Sequence, residues 1–181
     1  KNVKGELLLY QNELYNLITR KMVGDQMIEG YPLYRKENSE RAFVRGVETA
    51  WDFVLNRSIT LYSSLTCTYG QNKTKDEPMR RIPPLFGRLA LDYRNSGWLL
   101  NAEILSASGQ ERLAQGDIDD NRIPEGGTPG WTVVNINAGY TWRFLSVDLS
   151  LKNLFNVDYR YHGSGINGYG RSLFLTAGLN F

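Results

Sequence analysis

The sequence contains one cysteine, Cys67, and one histidine, His162, in 181 residues. A lone cysteine closes no internal disulfide, so the redox compartment cannot be read from it, and a small apolar strand residue is its simplest role. Cysteine and histidine stand far apart in the chain, so no cluster has zinc-ligand spacing. No apolar run approaches the roughly 18 residues of a spanning helix, which excludes helical membrane insertion. It does not exclude a membrane β-barrel, whose strands need only every second residue to be apolar. With 21 basic against 19 acidic residues and no block of like charge, nothing points to nucleic acid. Ser164 lacks a G-x-S-x-G frame, and no G-x-x-x-x-G-K-[ST] cradle for phosphate occurs. No enzyme, catalytic residue, resident metal or cofactor is expected. The opening KNVKGELLLYQN also lacks the long apolar run of a secretory leader. For an envelope protein, this implies that the leader has been removed or that the chain is an internal piece.

Aromatics and glycine are plentiful, with 11 Tyr, 7 Phe, 4 Trp and 18 Gly. Polarity alternates with a period of two over about eight segments, as expected for strands with one apolar face. The segments are 6–19, 31–55, 58–69, 85–93, 98–107, 131–142, 146–152 and 173–181. In the first, Leu8, Tyr10, Leu14 and Ile18 compete with Leu7, Leu9, Tyr15 and Leu17 for the apolar face, and 24–30 is expected to break it. Elsewhere the phase is clear. Val47, Trp51 and Phe53 oppose Glu48 and Asp52; Leu89 and Leu91 oppose Arg88 and Asp92; Val147, Leu149 and Leu151 oppose Asp148 and Lys152. Pro83 and Pro84 cannot donate ladder hydrogen bonds and are expected outside any central strand.

Connections near 56, 96 and 144 are short, whereas those near 24, 74, 119 and 163 are expected to be long. Alternation of this kind, with Tyr93, Trp98, Trp142 and Phe181 at the ends of the apolar rows, matches transmembrane barrels with short periplasmic turns, long extracellular loops and aromatic belts. Periodicity alone leaves a soluble β-sandwich open, since its strands alternate too. A free-standing eight-stranded barrel with a structural or adhesive role also fits the strand count.

The chain further resembles the C-terminal part of TonB-dependent outer-membrane receptors. The resemblance rests on Asn153-Leu154-Phe155-Asn156, then Tyr159, Gly170-Arg171 and the terminal Phe181. Upstream, Arg45-Gly46-Val47-Glu48, Ile82-Pro83-Pro84 and Gly127-Thr128-Pro129-Gly130 are similar to segments of the same family. The resemblance implies an all-β, antiparallel up-and-down transmembrane barrel of 22 strands. Residues 1–181 would supply about the last eight strands of that barrel, without plug domain or earlier strands. It implies a bacterial outer-membrane receptor taking up a ferric siderophore, haem or cobalamin. Its partners would be the rest of the receptor, outer-membrane lipid and, through the missing plug, the TonB energy-coupling protein. Leu175, Gly178, Leu179 and Phe181 resemble a signal read by the outer-membrane insertion machinery. Gly46 and Gly170 are expected to allow close backbone approach, and Glu48 and Arg171 to face the lumen or its rim.

Four loop residues are candidate ligand contacts. His162 could bind haem iron, although a solvated loop residue is the simpler reading. Asp117, Asp119 and Asp120, in GDIDDN, suggest an oxygen-rich calcium loop, but the spacing departs from the EF-hand and a surface turn is simpler. The expected capture loops are 20–30, 70–78, 108–130 and 156–168.

Overall fold

A computed structural model describes residues 2–179, apart from the side chains of 20–22 and 39. Nine strands form one antiparallel sheet: β1 Val3–Ile28, β2 Tyr31–Val54, β3 Ile59–Asn72, β4 Glu77–Pro78, β5 Phe86–Asn95, β6 Trp98–Ala107, β7 Trp131–Trp142, β8 Leu145–Lys152 and β9 Ser172–Leu179. Eight run in chain order as an up-and-down meander, with β4 a short addition to β3. β1 and β9 each pair on one side only, so among the described residues the sheet is open. A closed eight-stranded barrel is therefore corrected to an open wall. The β-sandwich is corrected as well, because no second sheet covers the first among these residues.

Register fixes the faces, since directly paired residues point the same way. One row runs Phe53, Leu61, Leu91, Ala102, Ile136, Leu151 and Leu173 from β2 to β9. The next row at this level toward the short turns joins Tyr93, Leu100, Ala138, Leu149 and Leu175. Among the described residues nothing covers these rows: Leu65 is 46% exposed, Leu100 41% and Leu175 71%. So extensive an apolar surface needs a partner, and a lipid bilayer is a sufficient one. β5 and β6, ten residues each, have the length that crosses a bilayer.

The opposite face is polar and cross-linked between strands. Arg88 Nε donates to Glu103 Oε1 at 2.6 Å, and Asn135 Nδ2 donates to the other Glu103 oxygen at 3.0 Å. Asn101 donates to Asp92 and accepts from Asn137, which in turn accepts from Ser150 and Lys152. Glu48 lies on this face, opposite Thr66 and Leu8.

The short turns follow their residues. Asn56 Oδ1 accepts the Ser58 and Ile59 amides at 2.8 and 2.9 Å, an Asx turn. Ser96 (φ 48°) and Gly97 (φ 85°) supply the two left-handed positions of a tight hairpin. Pro83 and Pro84 lie between β4 and β5, outside the ladder.

The first hairpin departs from expectation. Residues 24–30 do not end the first strand and 20–30 is not a long loop, although the pairing shifts register between Met22 and Met27, where Gly24 stands at φ 53°. β1 continues to Ile28 and turns through Glu29 and Gly30 alone, both at positive φ. β1 and β2 hold 26 and 24 residues, and their pairing runs from Leu17↔Glu40 to Ile28↔Tyr31, beyond the last β2–β3 pair, Ala42↔Asn72. The ambiguous phase of β1 has the same cause. Leu7 and Leu9 pair with Thr49 and Val47 on the apolar face, but register shifts between Leu14 and Ile18 insert a bulge, with Asn16 at φ 56°. A bulge swaps the faces midway along the strand.

A loop cluster over the charged face as the candidate ligand site

At the end opposite the short turns, residues 79–85, 108–130 and 153–171 fold onto the charged face. Trp131 opens β7 there and is only 7% exposed, packed with Ala107 and Val133 and against Phe86, Leu105, Val157 and Tyr159. Its ring lies 4.7 Å from that of Tyr159 and 5.1 Å, edge-on, from that of Tyr161. Its indole N–H donates to the Arg160 carbonyl at 3.1 Å, giving a buried polar atom its partner. Beside it is a half-open cavity of about 210 Å³, lined by Pro124, Thr128, Pro129, Trp131, Asp158, Tyr159, Arg160 and Asn167 among others. Partial burial raises the Tyr161 phenol above its ordinary range, with Tyr159 and Glu103 adding to the effect.

The loop 153–171 is shaped by Asn153, 1% exposed and at φ 50°. Its side-chain amide donates to the carbonyls of Val157 and Tyr169, both at 2.8 Å, and its Oδ1 accepts the Val157 amide at 2.8 Å. Its own N–H donates to Asn135 Oδ1 on β7 at 2.9 Å. Asn156 Oδ1 accepts the Arg171 amide at 2.8 Å, joining the two ends of the loop beside Gly170. The Asn153-to-Asn156 run and the Gly170-Arg171 pair thus close one loop. Leu154 continues the β7 pairing through its amide, whereas Phe155 is 68% exposed. The Tyr159 ring lies against Gly168, where any Cβ would collide with it. Gly46 meets the Tyr10 ring in the same way, and the Tyr10 hydroxyl reaches Thr68 Oγ1 at 3.0 Å.

Two of the three acidic candidates are buried. Asp117, in the one-turn helix α1 Gln115–Ile118, is 1% exposed and Asp120 is 7% exposed. Asp120 accepts from Arg80, Arg81 and Arg122 at 2.8, 3.1 and 2.7 Å, while Asp117 accepts the Arg81 amide and lies 3.5 Å from Arg80 Nε. Their oxygens face guanidinium groups, the opposite of what a calcium cage presents. Asp119 stays exposed and, among the described residues, its side chain bonds only Gln115. Three arginines around two aspartates leave one positive charge in excess, on side chains 50%, 47% and 41% exposed.

His162 is likewise not a solvated residue. Its Nδ1 sits 2.9 Å from Thr128 Oγ1, and its Nε2 is buried without a partner among the described residues. Burial lowers its pKa below the ordinary imidazole value, with Arg81 acting in the same direction and Asp117 and Asp120 against it. Its buried Nε2 offers no open approach to an iron. Of the terminal group, Leu175 and Leu179 lie on the apolar face, 71% and 57% exposed. Gly178 faces Ser146, and Phe181 is outside the described residues. Trp131 and the three arginines carry no motif of their own in the sequence; an Arg-Arg pair before Pro-Pro and an aromatic at a strand start are the signals that point to them.

A family model described as TonB dependent receptor-like, beta-barrel matches residues 3–154. A curated relative, Heme/hemopexin utilization protein C of Haemophilus influenzae (strain 86-028NP), is 24% identical over 98% of the chain. The chain spans 25% of that protein's length. Among solved structures, the copper transporter OprC superposes with a TM-score of 0.81 at 20% identity, covering 99% of this chain and 29% of that one. The ferric enterobactin receptor PfeA of Pseudomonas aeruginosa, as a mutant, gives 0.73 at 18%, and the unliganded ferric citrate transporter FecA 0.68 at 18%, each covering 99% of this chain and 29% of the other.

Proposed function

Because the chain belongs to the TonB dependent receptor-like β-barrel family, we propose that it forms about eight strands of the wall of a larger outer-membrane barrel, in a receptor that imports a metal-bearing nutrient such as a ferric siderophore or haem. The observation that carries this reading is the asymmetry of the open sheet. One face is apolar and uncovered, the other is charged, and the long loops fold over the charged side at one end. In a closed barrel the charged face lines the lumen, where a plug would sit. The remaining strands satisfy the free edges of β1 and β9, which lipid cannot.

The loop cluster supplies a capture surface over the lumen. Half-exposed guanidinium groups of Arg80, Arg81 and Arg122 attract anionic chelates, and Trp131, Tyr159 and Arg160 line a concave aromatic edge suited to planar groups. Energised release would act through the plug and its TonB partner, neither of which lies in this chain. Deleting residues 108–130 from the full receptor should weaken binding of a panel of ferric siderophores and haemin while leaving assembly intact. Affinity unchanged for every ligand bound would remove that loop from the site. The membrane phase has a separate test. Leu175→Arg should impair assembly, since a cation on the lipid face at mid-bilayer costs about 2–4 kcal/mol, while Thr176→Arg, on the charged face beside Asp148, should be tolerated. Equal effects would refute the assignment of faces.

A further inference from the structure

The charged face carries two separate hydrogen-bond networks, and only one of them reaches the loop cluster. In the first, Asp92 accepts from Asn101 at 2.7 Å, Asn101 accepts from Asn137 at 2.8 Å, and Asn137 accepts from Ser150 and Lys152. All of these residues lie on strands, from β5 to β8. In the second, Arg88 Nε donates to Glu103 Oε1, Asn135 Nδ2 donates to Glu103 Oε2, and the Asn153 backbone N–H donates to Asn135 Oδ1, at 2.6, 3.0 and 2.9 Å. This chain runs from the wall into Asn153, whose side chain holds loop 153–171 through Val157 and Tyr169.

Direction is built into the second network. Asn135 is 6% exposed and uses both ends of its amide. A backbone N–H can only donate, so the amide oxygen must turn toward Asn153 and the NH2 toward position 103. Position 103 must then supply an acceptor, and an ionised carboxylate does nothing else. Reversing the amide would set its NH2 against the Asn153 N–H in a buried place, where an unmet polar group costs most. The pair that fixes this direction is the more open end of the chain, with Arg88 and Glu103 side chains 41% and 17% exposed.

We propose that Glu103 is a positioning residue that acts from the wall, through Asn135, on loop 153–171, and that the loop is ordered only while an acceptor stands at position 103. The loop carries Tyr159 and Arg160, one side of the cavity beside Trp131. A residue of the wall, outside the cavity lining, thus sets the shape of that surface. Only this last step rests on the capture reading above. The test uses no nutrient, so its failure leaves the deletion of residues 108–130 to judge that reading alone.

Amide exchange of the full receptor in detergent reads the opening of residues 153–171 against β6 and β7. The decisive variant is the charge swap Arg88→Glu/Glu103→Arg, checked for folding by heat-modifiable migration. It keeps an ion pair between β5 and β6 but puts a donor where Asn135 needs an acceptor. Loop 153–171 should exchange about tenfold faster while the strands stay protected, as expected for loss of one buried hydrogen bond. Wild-type protection of the loop in the swap would make the pair a structural ion pair alone and overturn the proposal. A double-mutant cycle asks whether the effect passes through Asn135. Glu103→Ala and Asn135→Ala should each open the loop about tenfold, and together no more than either does alone. Additive opening would give Glu103 another route to the loop, such as the Tyr161 phenol that its charge also reaches, and would overturn the proposal too. Asp92→Ala, in the network confined to strands, should leave the loop unchanged. Equal opening there would trace the response to the wall as a whole and refute a specific role for Glu103.

Discussion

The β1–β2 ribbon and the loop cluster both extend past the same end of the sheet, and they are held there by different means. The ribbon is a ladder, with backbone pairs from Leu17↔Glu40 to Ile28↔Tyr31, interrupted by a register shift between Met22 and Met27, and side chains such as Ile18 and Tyr31 left 65% and 76% exposed. Among its described side chains only Glu40 is buried, at 4%. The cluster has almost no ladder. Its order comes from a few side chains that each satisfy several partners: Asn153, Asp120, Asp117 and Trp131. A ladder spreads stability over many equivalent bonds, so single substitutions are absorbed. A network with few nodes concentrates it, so single substitutions should open a whole loop.

The largest expected effect is at Asn153. Asn153→Ala removes three hydrogen bonds from a buried site and puts alanine at φ 50°, a conformation asparagine tolerates better. The combined loss is about 4 kcal/mol. Amide exchange in the full receptor should show residues 153–171 opening while the strands stay protected. Protection unchanged in that loop would break the contrast between network and ladder.

Asp120 comes next. Asp120→Ala leaves Arg80, Arg81 and Arg122 without their shared acceptor, a loss of about 2–3 kcal/mol softened by the exposure of the three arginines. The neighbouring Asp119→Asn, at an exposed position, should stay within about 0.5 kcal/mol. Equal effects would place the loop's stability outside the arginine cluster. On the ribbon, Glu40 is the exception to the ladder. It accepts from Thr19, from Asn72 at 2.5 Å and from Lys75 at 2.9 Å, clamping β1, β2 and the β3–β4 turn. Burial alone would raise its pKa, but those three partners outweigh it and lower it below the ordinary carboxylate value. Its contribution is therefore fully present above the ordinary value and is lost as pH falls through the lower folded one. Glu40→Gln should cost about 1–2 kcal/mol, opening the ribbon base in amide exchange, and should abolish that acid dependence.

The same contrast decides what the sequence discloses. The faces of β2, β3 and β5 to β9 follow from strict alternation, because a strand half in lipid must sort its side chains by parity. β1 resists such a reading because a bulge swaps its parity midway; Gly24 marks a second register shift within the strand, and Gly30 is one half of a two-residue turn. In the cluster, Asp117 and Asp120 look like surface acids because their arginine partners Arg80 and Arg81 lie 36 to 40 residues earlier. Asn153 is visible as part of a family-like motif, but its bonds to Val157 and Tyr169 depend on a loop conformation that no periodicity encodes.

The smallest expected effect, and the finest test of the network, is the response of His162 to acid. Its Nδ1 pairs with Thr128, linking loop 153–171 to loop 108–130, and its Nε2 is buried without a partner among the described residues. Burial holds its pKa below the ordinary 6.5, so the unfolded or opened chain takes up a proton before the folded one does. Stability from the neutral ring is thus complete above that ordinary value and declines as pH falls through it toward the lower folded value. A proton on Nε2 would have no acceptor, and the nearby Asp117 and Asp120 already serve Arg80, Arg81 and Arg122. Amide exchange should therefore show the two loops loosening together between pH 7.5 and pH 5, whereas His162→Leu should flatten this response. Loosening that persists unchanged in His162→Leu would refute the histidine as the source of the acid sensitivity, and it would then be a packing residue alone.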